Sequence, residues 1–217
     1  MPNYSAQRAN MVASQVLASG VFDERILAAM RTMERERFVP SGKQALAYAE
    51  QAIELVSGRY LMDGRTFALM LQAAQIRATD RVLDVGCGTG YSTAILAELA
   101  GRVIGLEQDA DLVRIATEQL EQLHARNAAI VQGSFADGLR GQAPYDVIFL
   151  NGGVETEPRA LLSQLADGGR LVAVVGPGPE GRATVFLNER GRIGHRIAFD
   201  ACLPLLAGFR QPAGFVF

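Results

Sequence analysis

Residues 82–90 read Val-Leu-Asp-Val-Gly-Cys-Gly-Thr-Gly, an apolar, β-prone run that passes directly into a loop only small residues can make. A helical pattern begins at Tyr91. Strand, glycine turn and helix in that order confine the chain to an α/β unit, with free amides at the helix start able to meet a polar ligand. The surrounding texture agrees. Strand patterns at 81–85, 102–107, 129–132, 146–151 and 170–175 alternate with helical patterns at 92–100, 110–123 and 159–165. That alternation predicts a parallel sheet with helices on both faces.

Beyond Gly176-Pro177-Gly178-Pro179 only strand patterns remain, at 183–188, 196–201 and 214–217, with a turn signal at Glu189-Arg190-Gly191. The expected class is therefore α/β and Rossmann-like, a mostly parallel seven-stranded sheet ending on an antiparallel C-terminal hairpin. Ahead of it, apolar residues recur at helical spacing over 5–19 (Met11, Val12, Val16, Leu17) and again from Asp23 (Ile26, Leu27, Met30). Phe38-Val39-Pro40 ends this helical addition, 41–64 has weak periodicity, and 65–75 resumes a helical pattern with Phe67, Leu69, Met70 and Leu71. Residues 1–78 read as N-terminal helices plus a segment lying over something, and 79–217 as the ligand-binding domain, the whole one compact unit.

Composition narrows the function. Hydrophobic side chains make up 49% of 217 residues, enough for one substantial core. The net charge of -2, with no basic block, argues against a nucleic-acid partner. No run approaches the roughly 18 apolar residues of a membrane span, and the start lacks a secretory pattern, so a cytoplasmic protein is expected. Cys87 and Cys202 lie too far apart in sequence to suggest a disulfide framework or zinc site. His124 and His195 read as structural or exposed, and no acid spacing resembles a metal set.

The loop spacing Gly86-x-Gly88-x-Gly90, with Asp84 two positions ahead, differs from the Gly-x-Gly-x-x-Gly that seats a dinucleotide pyrophosphate. It suits a nucleoside carrying an amino acid, S-adenosyl-L-methionine, whose sulfonium, ammonium and ribose diol want acids as well as amides. Asp84 is the candidate for the methionyl end. Glu107 closes the second strand at the carboxyl edge of the sheet, where its two oxygens suit both ribose hydroxyls. Cys87, Thr89 and Gln108 complete this neighbourhood, Ser134 and Phe135 after the third strand are placed to frame adenine, and Asn151 ends the fourth strand. Plainer readings stand beside these: a turn that merely needs glycines, a salt-bridged Glu107, a Phe135 that is simply core.

Over nearly its whole length the sequence resembles the protein-L-isoaspartate O-methyltransferases. The resemblance is carried by Met11-Val12, by 21–30, by Arg35-Glu36-Arg37-Phe38-Val39-Pro40, by 143–148 and by 161–172. It implies a Rossmann-like methyltransferase using S-adenosyl-L-methionine on a protein or peptide carboxylate, as a monomer or homodimer. Where the family carries Gly-Gln-Thr-Ile-Ser over its site, this chain has Gly58-Arg59-Tyr60-Leu61-Met62. The family's substrate-orienting hydroxyl is thereby replaced by Met62, with Tyr60, Ser57 or Thr66 as possible substitutes. Ser134 likewise stands where the family usually has an acid. Tyr60, Met62 and Arg65 are the candidate catalytic positions in this covering segment, and Arg59 or Arg65 the candidates to hold a carboxylate, against the plain reading of a solvated arginine.

A carboxylate nucleophile is ionised at pH 7 and needs no general base, so the lack of a catalytic histidine is no objection. Charge disappears towards the transition state, which favours a site that excludes water. Three other readings remain: the same fold with a small-molecule acceptor, a non-catalytic cofactor-binding module, and a nicotinamide oxidoreductase, which the glycine spacing disfavours.

Overall fold

The computed structural model describes residues 3–176 and 178–210, so the strand pattern at 214–217 lies outside the described residues. Alternate residues of the central strands point to opposite sides, and this sorts the core into two layers. Val82, Val103, Val147, Phe149 and Val172 face one cluster, while Leu83, Ile104, Ile148, Leu150 and Leu171 face the other.

The helical addition comes first: α1 (Tyr4–Met11), a π turn over Val12–Val16, a 3-10 turn ending at Gly20 (φ 89°), then α2 (Glu24–Thr32). Residues 41–64 are a correction to the sequence reading. They form a 3-10 turn, Ser41–Leu46, and an antiparallel hairpin of β1 (Ile53–Val56) and β2 (Arg59–Leu61) turning at Gly58. Strands of four and three residues are too short to leave a period that a sequence pattern can register.

Helix α3 (Gly64–Ala74) leads into the main sheet, built from β3 (Arg81–Val85), β4 (Arg102–Glu107), β5 (Ala128–Gln132), β6 (Tyr145–Val154), β7 (Leu165–Val175), β8 (Arg182–Glu189) and β9 (Arg192–Asp200). Their order is β5-β4-β3-β6-β7-β8-β9, parallel as far as β7 and antiparallel beyond it. The seven strands and the closing hairpin match the expectation. Helices α4 (Tyr91–Leu99) and α5 (Ala110–Gln122) pack on the same face as α1 to α3; the N-cap Asp109 starts α5 by accepting from Asp111 N (2.9 Å) and Leu112 N (3.0 Å). Among the described residues the other face carries the short α6 (Arg159–Leu162) and a 3-10 turn at Arg140–Gln142, with Phe135, Leu206 and Phe209 packed beside them. The helix expected over 159–165 stops early because Leu165 already begins β7.

Arg170 on β7 ties α3 to the sheet: its guanidinium reaches Asp80 at 2.6 Å and donates to the carbonyls of Ala74 and Gln75 that end the helix. Two of the free carbonyls at a helix C-terminus are satisfied in this way. No helix among the described residues is long and apolar enough to cross a membrane.

Candidate functional site

Strand β3 lies between β4 and β6, so chain direction across the sheet reverses there, and ligands of open α/β sheets bind in the crevice at such a point. The loop leaving β3 uses its glycines for backbone reasons: Gly86, Gly88 and Gly90 have φ of 76°, 58° and 94°. A Cβ at Gly90 would also lie 3.1 Å from that of Ala116 on α5. Gly86 N donates to Leu106 O at 2.8 Å, fastening the loop to β4.

Asp84 sits beneath this loop, fully buried. Its Oδ2 accepts from Ser92 Oγ (2.7 Å) and Thr93 Oγ1 (2.6 Å), and its Oδ1 from Asn151 Nδ2 (2.6 Å). Burial pushes its pKa up to about 6, against the opposing pull of these hydrogen bonds, with the Glu107 charge a smaller upward contribution. Asp84 therefore underpins the loop and meets the cleft through Ser92 and Asn151, which line it. Cys87 is buried beside it; burial raises its thiol pKa well above the ordinary value, which suits packing and not nucleophilic work.

Glu107 is also fully buried, at the carboxyl end of β4. Oε2 accepts from Gly88 N at 2.8 Å, and Oε1 from Gln108 N at 2.9 Å and Asp109 N at 3.3 Å. Backbone donors alone thus hold one side of the carboxylate. The other side faces the hairpin, where Arg59 Nη2 lies 2.7 Å from Oε2 and Nε 3.4 Å from Oε1. Arg59 also donates to Gly86 O at 2.9 Å, and its guanidinium carbon lies 4.9 Å from the centre of the Phe135 ring. Glu107 is therefore salt-bridged, as the plainer sequence reading had it, and Arg59, which lines the cleft, stands between it and that space.

Tyr60 and Met62 line the cleft with Asn151. Arg65 does not join them: it is exposed on the first turn of α3, and its Nε donates to Ser19 Oγ at 3.0 Å. Thr89 turns away too, donating from Oγ1 to Phe38 O at 2.6 Å. Gln108 contributes its amide while its side chain is exposed. Ser134 Oγ accepts from Asp137 N at 3.4 Å inside its own turn. Phe135 is wholly buried, one face covered by Arg59.

Three residues escaped the sequence reading. Leu55 and Leu206 reach the glycines, since a Cβ at Gly88 would meet Leu55 Cδ1 at 2.8 Å and one at Gly86 would meet Leu206 Cδ2 at 3.0 Å. Arg35, 1% exposed, donates to Ala47 O and Met62 O and packs over the Tyr91 ring, pinning both ends of the covering segment. No periodic signal marks any of them; each acts through a contact distant in sequence.

The arrangement suits an adenosyl amino acid through a buried carboxylate at a strand end for a diol, a tight glycine loop that lets a ligand approach the backbone, and a flat ring beside them, whereas the loop amides of Gly86, Cys87, Gly88 and Gly90 are already bonded within the protein. Comparison with known proteins points the same way. The family model described as protein-L-isoaspartate(D-aspartate) O-methyltransferase matches residues 7–198. A Koribacter versatilis protein-L-isoaspartate O-methyltransferase is 39% identical over 209 residues, 95% of this chain and 93% of the relative. One from Methanoculleus marisnigri is 36% identical, covering 86% and 85% respectively. Among solved structures, a protein-L-isoaspartate O-methyltransferase superposes with a TM-score of 0.80 at 23% identity, over 93% of this chain and 66% of that one. A Plasmodium falciparum structure titled as a beta-aspartate methyltransferase, in complex with S-adenosyl-L-homocysteine, gives 0.77 at 20% identity, over 94% and 97%. At those identities the superpositions speak for the fold.

Proposed function

The chain belongs to the protein-L-isoaspartate(D-aspartate) O-methyltransferase family, and we propose that it seats the ribose of its methyl donor on Glu107 and receives the acceptor carboxylate beneath the segment carrying Tyr60 and Met62. Its activity is the S-adenosyl-L-methionine-dependent methylation of isoaspartyl residues in damaged proteins. The observation that supports the seat best is the buried Glu107 carboxylate, already held by three backbone amides at the switch point of the sheet.

S-adenosyl-L-methionine supplies a methyl group made electrophilic by its sulfonium. The chain's own part is positioning and exclusion of water. The glycine loop and Glu107 set the nucleoside end, while Asp84, through Asn151, fixes the floor of the cleft. Tyr60, Met62 and Leu203 wall off the acceptor side with largely apolar surface, where the nucleophilic carboxylate sheds its hydration. The side chain at 62 offers no hydroxyl to orient that carboxylate, so Tyr60 and backbone amides must do so.

The test is incubation of the protein with an isoaspartyl peptide and methyl-labelled cofactor, with the matching aspartyl peptide as control. Base-labile label on the isoaspartyl peptide alone is the expected result. Label on neither peptide, with cofactor bound, would move the acceptor to another class of molecule.

A further inference from the structure

The carboxylate proposed to hold the ribose already has a cationic partner. Glu107 offers about four acceptor positions; the amides of Gly88, Gln108 and Asp109 occupy the inner ones, and Arg59 spans the outer ones with Nη2 and Nε. Those outer positions are the ones a ribose diol needs. Arg59 covers the approach as well: it donates to Gly86 O, caps the Phe135 ring where a base would stack, and stands 3.1 Å from the Cβ that Gly86 lacks.

We infer that Arg59 is a displaceable plug on the cofactor site, which S-adenosyl-L-methionine must evict from Glu107 in order to bind. The inference rests on the reading of Glu107 as the ribose seat. Eviction asks only that the Arg59 side chain swing out of the cleft, since its guanidinium is held by Glu107 and Gly86 O while the hairpin that carries it stays packed on the core through Ile53, Leu55 and Leu61. The exchange also has a cost, since neutral hydroxyls replace a guanidinium whose side chain is 12% exposed against a fully buried carboxylate. The cofactor's sulfonium and ammonium together outweigh its single carboxylate, so a guanidinium left in the cleft opposes it. Apparent affinity is then the intrinsic affinity scaled by the fraction of molecules with the plug withdrawn. Position 59 thereby sets how readily this chain loads its cofactor.

Calorimetry of S-adenosyl-L-homocysteine binding to the full chain and to Arg59→Gln is the decisive comparison. Glutamine removes the charge and leaves a shorter polar side chain that cannot span the Glu107 carboxylate as the guanidinium does. About tenfold tighter binding by the variant is expected for a site plugged roughly nine-tenths of the time. Equal or weaker binding by the variant overturns the plug while leaving the ribose seat standing. Absence of binding by both folded proteins overturns the plug and the seat together. A second measurement needs no variant fold: the Arg59 Nε–H resonance of the wild-type protein should shift on saturation with S-adenosyl-L-homocysteine, and a stationary resonance overturns the plug.

Discussion

Asn151 Nδ2 lies 2.6 Å from Asp84 Oδ1 and 3.2 Å from Val85 O, so one amide within β6, just past the pairing of that strand with β3, grips both a buried carboxylate and the backbone of the neighbouring strand just before the glycine loop. The floor of the cleft is built on this contact. Because the carboxylate is fully buried, its charge is a liability that three donors only partly offset.

The titration of Asp84 follows from that burial. Its pKa rises from 3.8 to about 6, so the folded chain holds the proton more tightly than the unfolded chain does. Its contribution to stability is fully present below pH 3.8 and is lost as the pH climbs to about 6, a change of about 3 kcal/mol. Asp84→Asn should remove this component. Denaturant unfolding of both proteins across that window should give a difference that varies with pH; a constant difference would count against the buried charge.

Glu107→Gln keeps one acceptor oxygen and turns the other into a donor facing donors. Loss of hydrogen bonds to a charged acceptor weakens binding about tenfold to a hundredfold. Isothermal titration with S-adenosyl-L-homocysteine measures it, and wild-type affinity in the variant would remove Glu107 from the site.

Met62 is buried where the resembled family carries a serine. Met62→Ser should cost about 2 kcal/mol of stability through lost apolar burial. It should also raise kcat/KM on an isoaspartyl peptide about fivefold through one added hydrogen bond in the transition state. Parallel melting curves and initial rates separate the two effects, and an unchanged or lower kcat/KM would show that the hydroxyl is already supplied from elsewhere.

Arg170→Ala should be the most damaging of these changes to stability. It strands Asp80, 4% exposed, and leaves the carbonyls ending α3 without a donor. Loss of one partner of a buried pair costs about 3–5 kcal/mol. Equilibrium unfolding in urea reads this directly, and a loss under about 1 kcal/mol would mean that water replaces the guanidinium.

How much of this was legible beforehand differs by element. The strand bounds at 81–85 and 102–107 are those of β3 and β4, because buried parallel strands flanked by glycine and by helix starts leave strong patterns. The hairpin at 53–61 left almost none, and Arg65, attractive on paper, turned outward with the first turn of α3 to meet Ser19.

The amino-acid order by itself determined the strand–glycine–helix unit, the parallel sheet with its antiparallel finish, and an acid at the end of the second strand, since these rest on local conformation and on which face of an element is apolar. Only the tertiary structure decided that Glu107 meets an arginine 48 positions away, that Asp84 is claimed from below by Ser92, Thr93 and Asn151, and that Leu206 folds back onto the glycines. Those contacts depend on how separate elements pack. Side-chain partners far apart in sequence leave no periodic trace from which to read them.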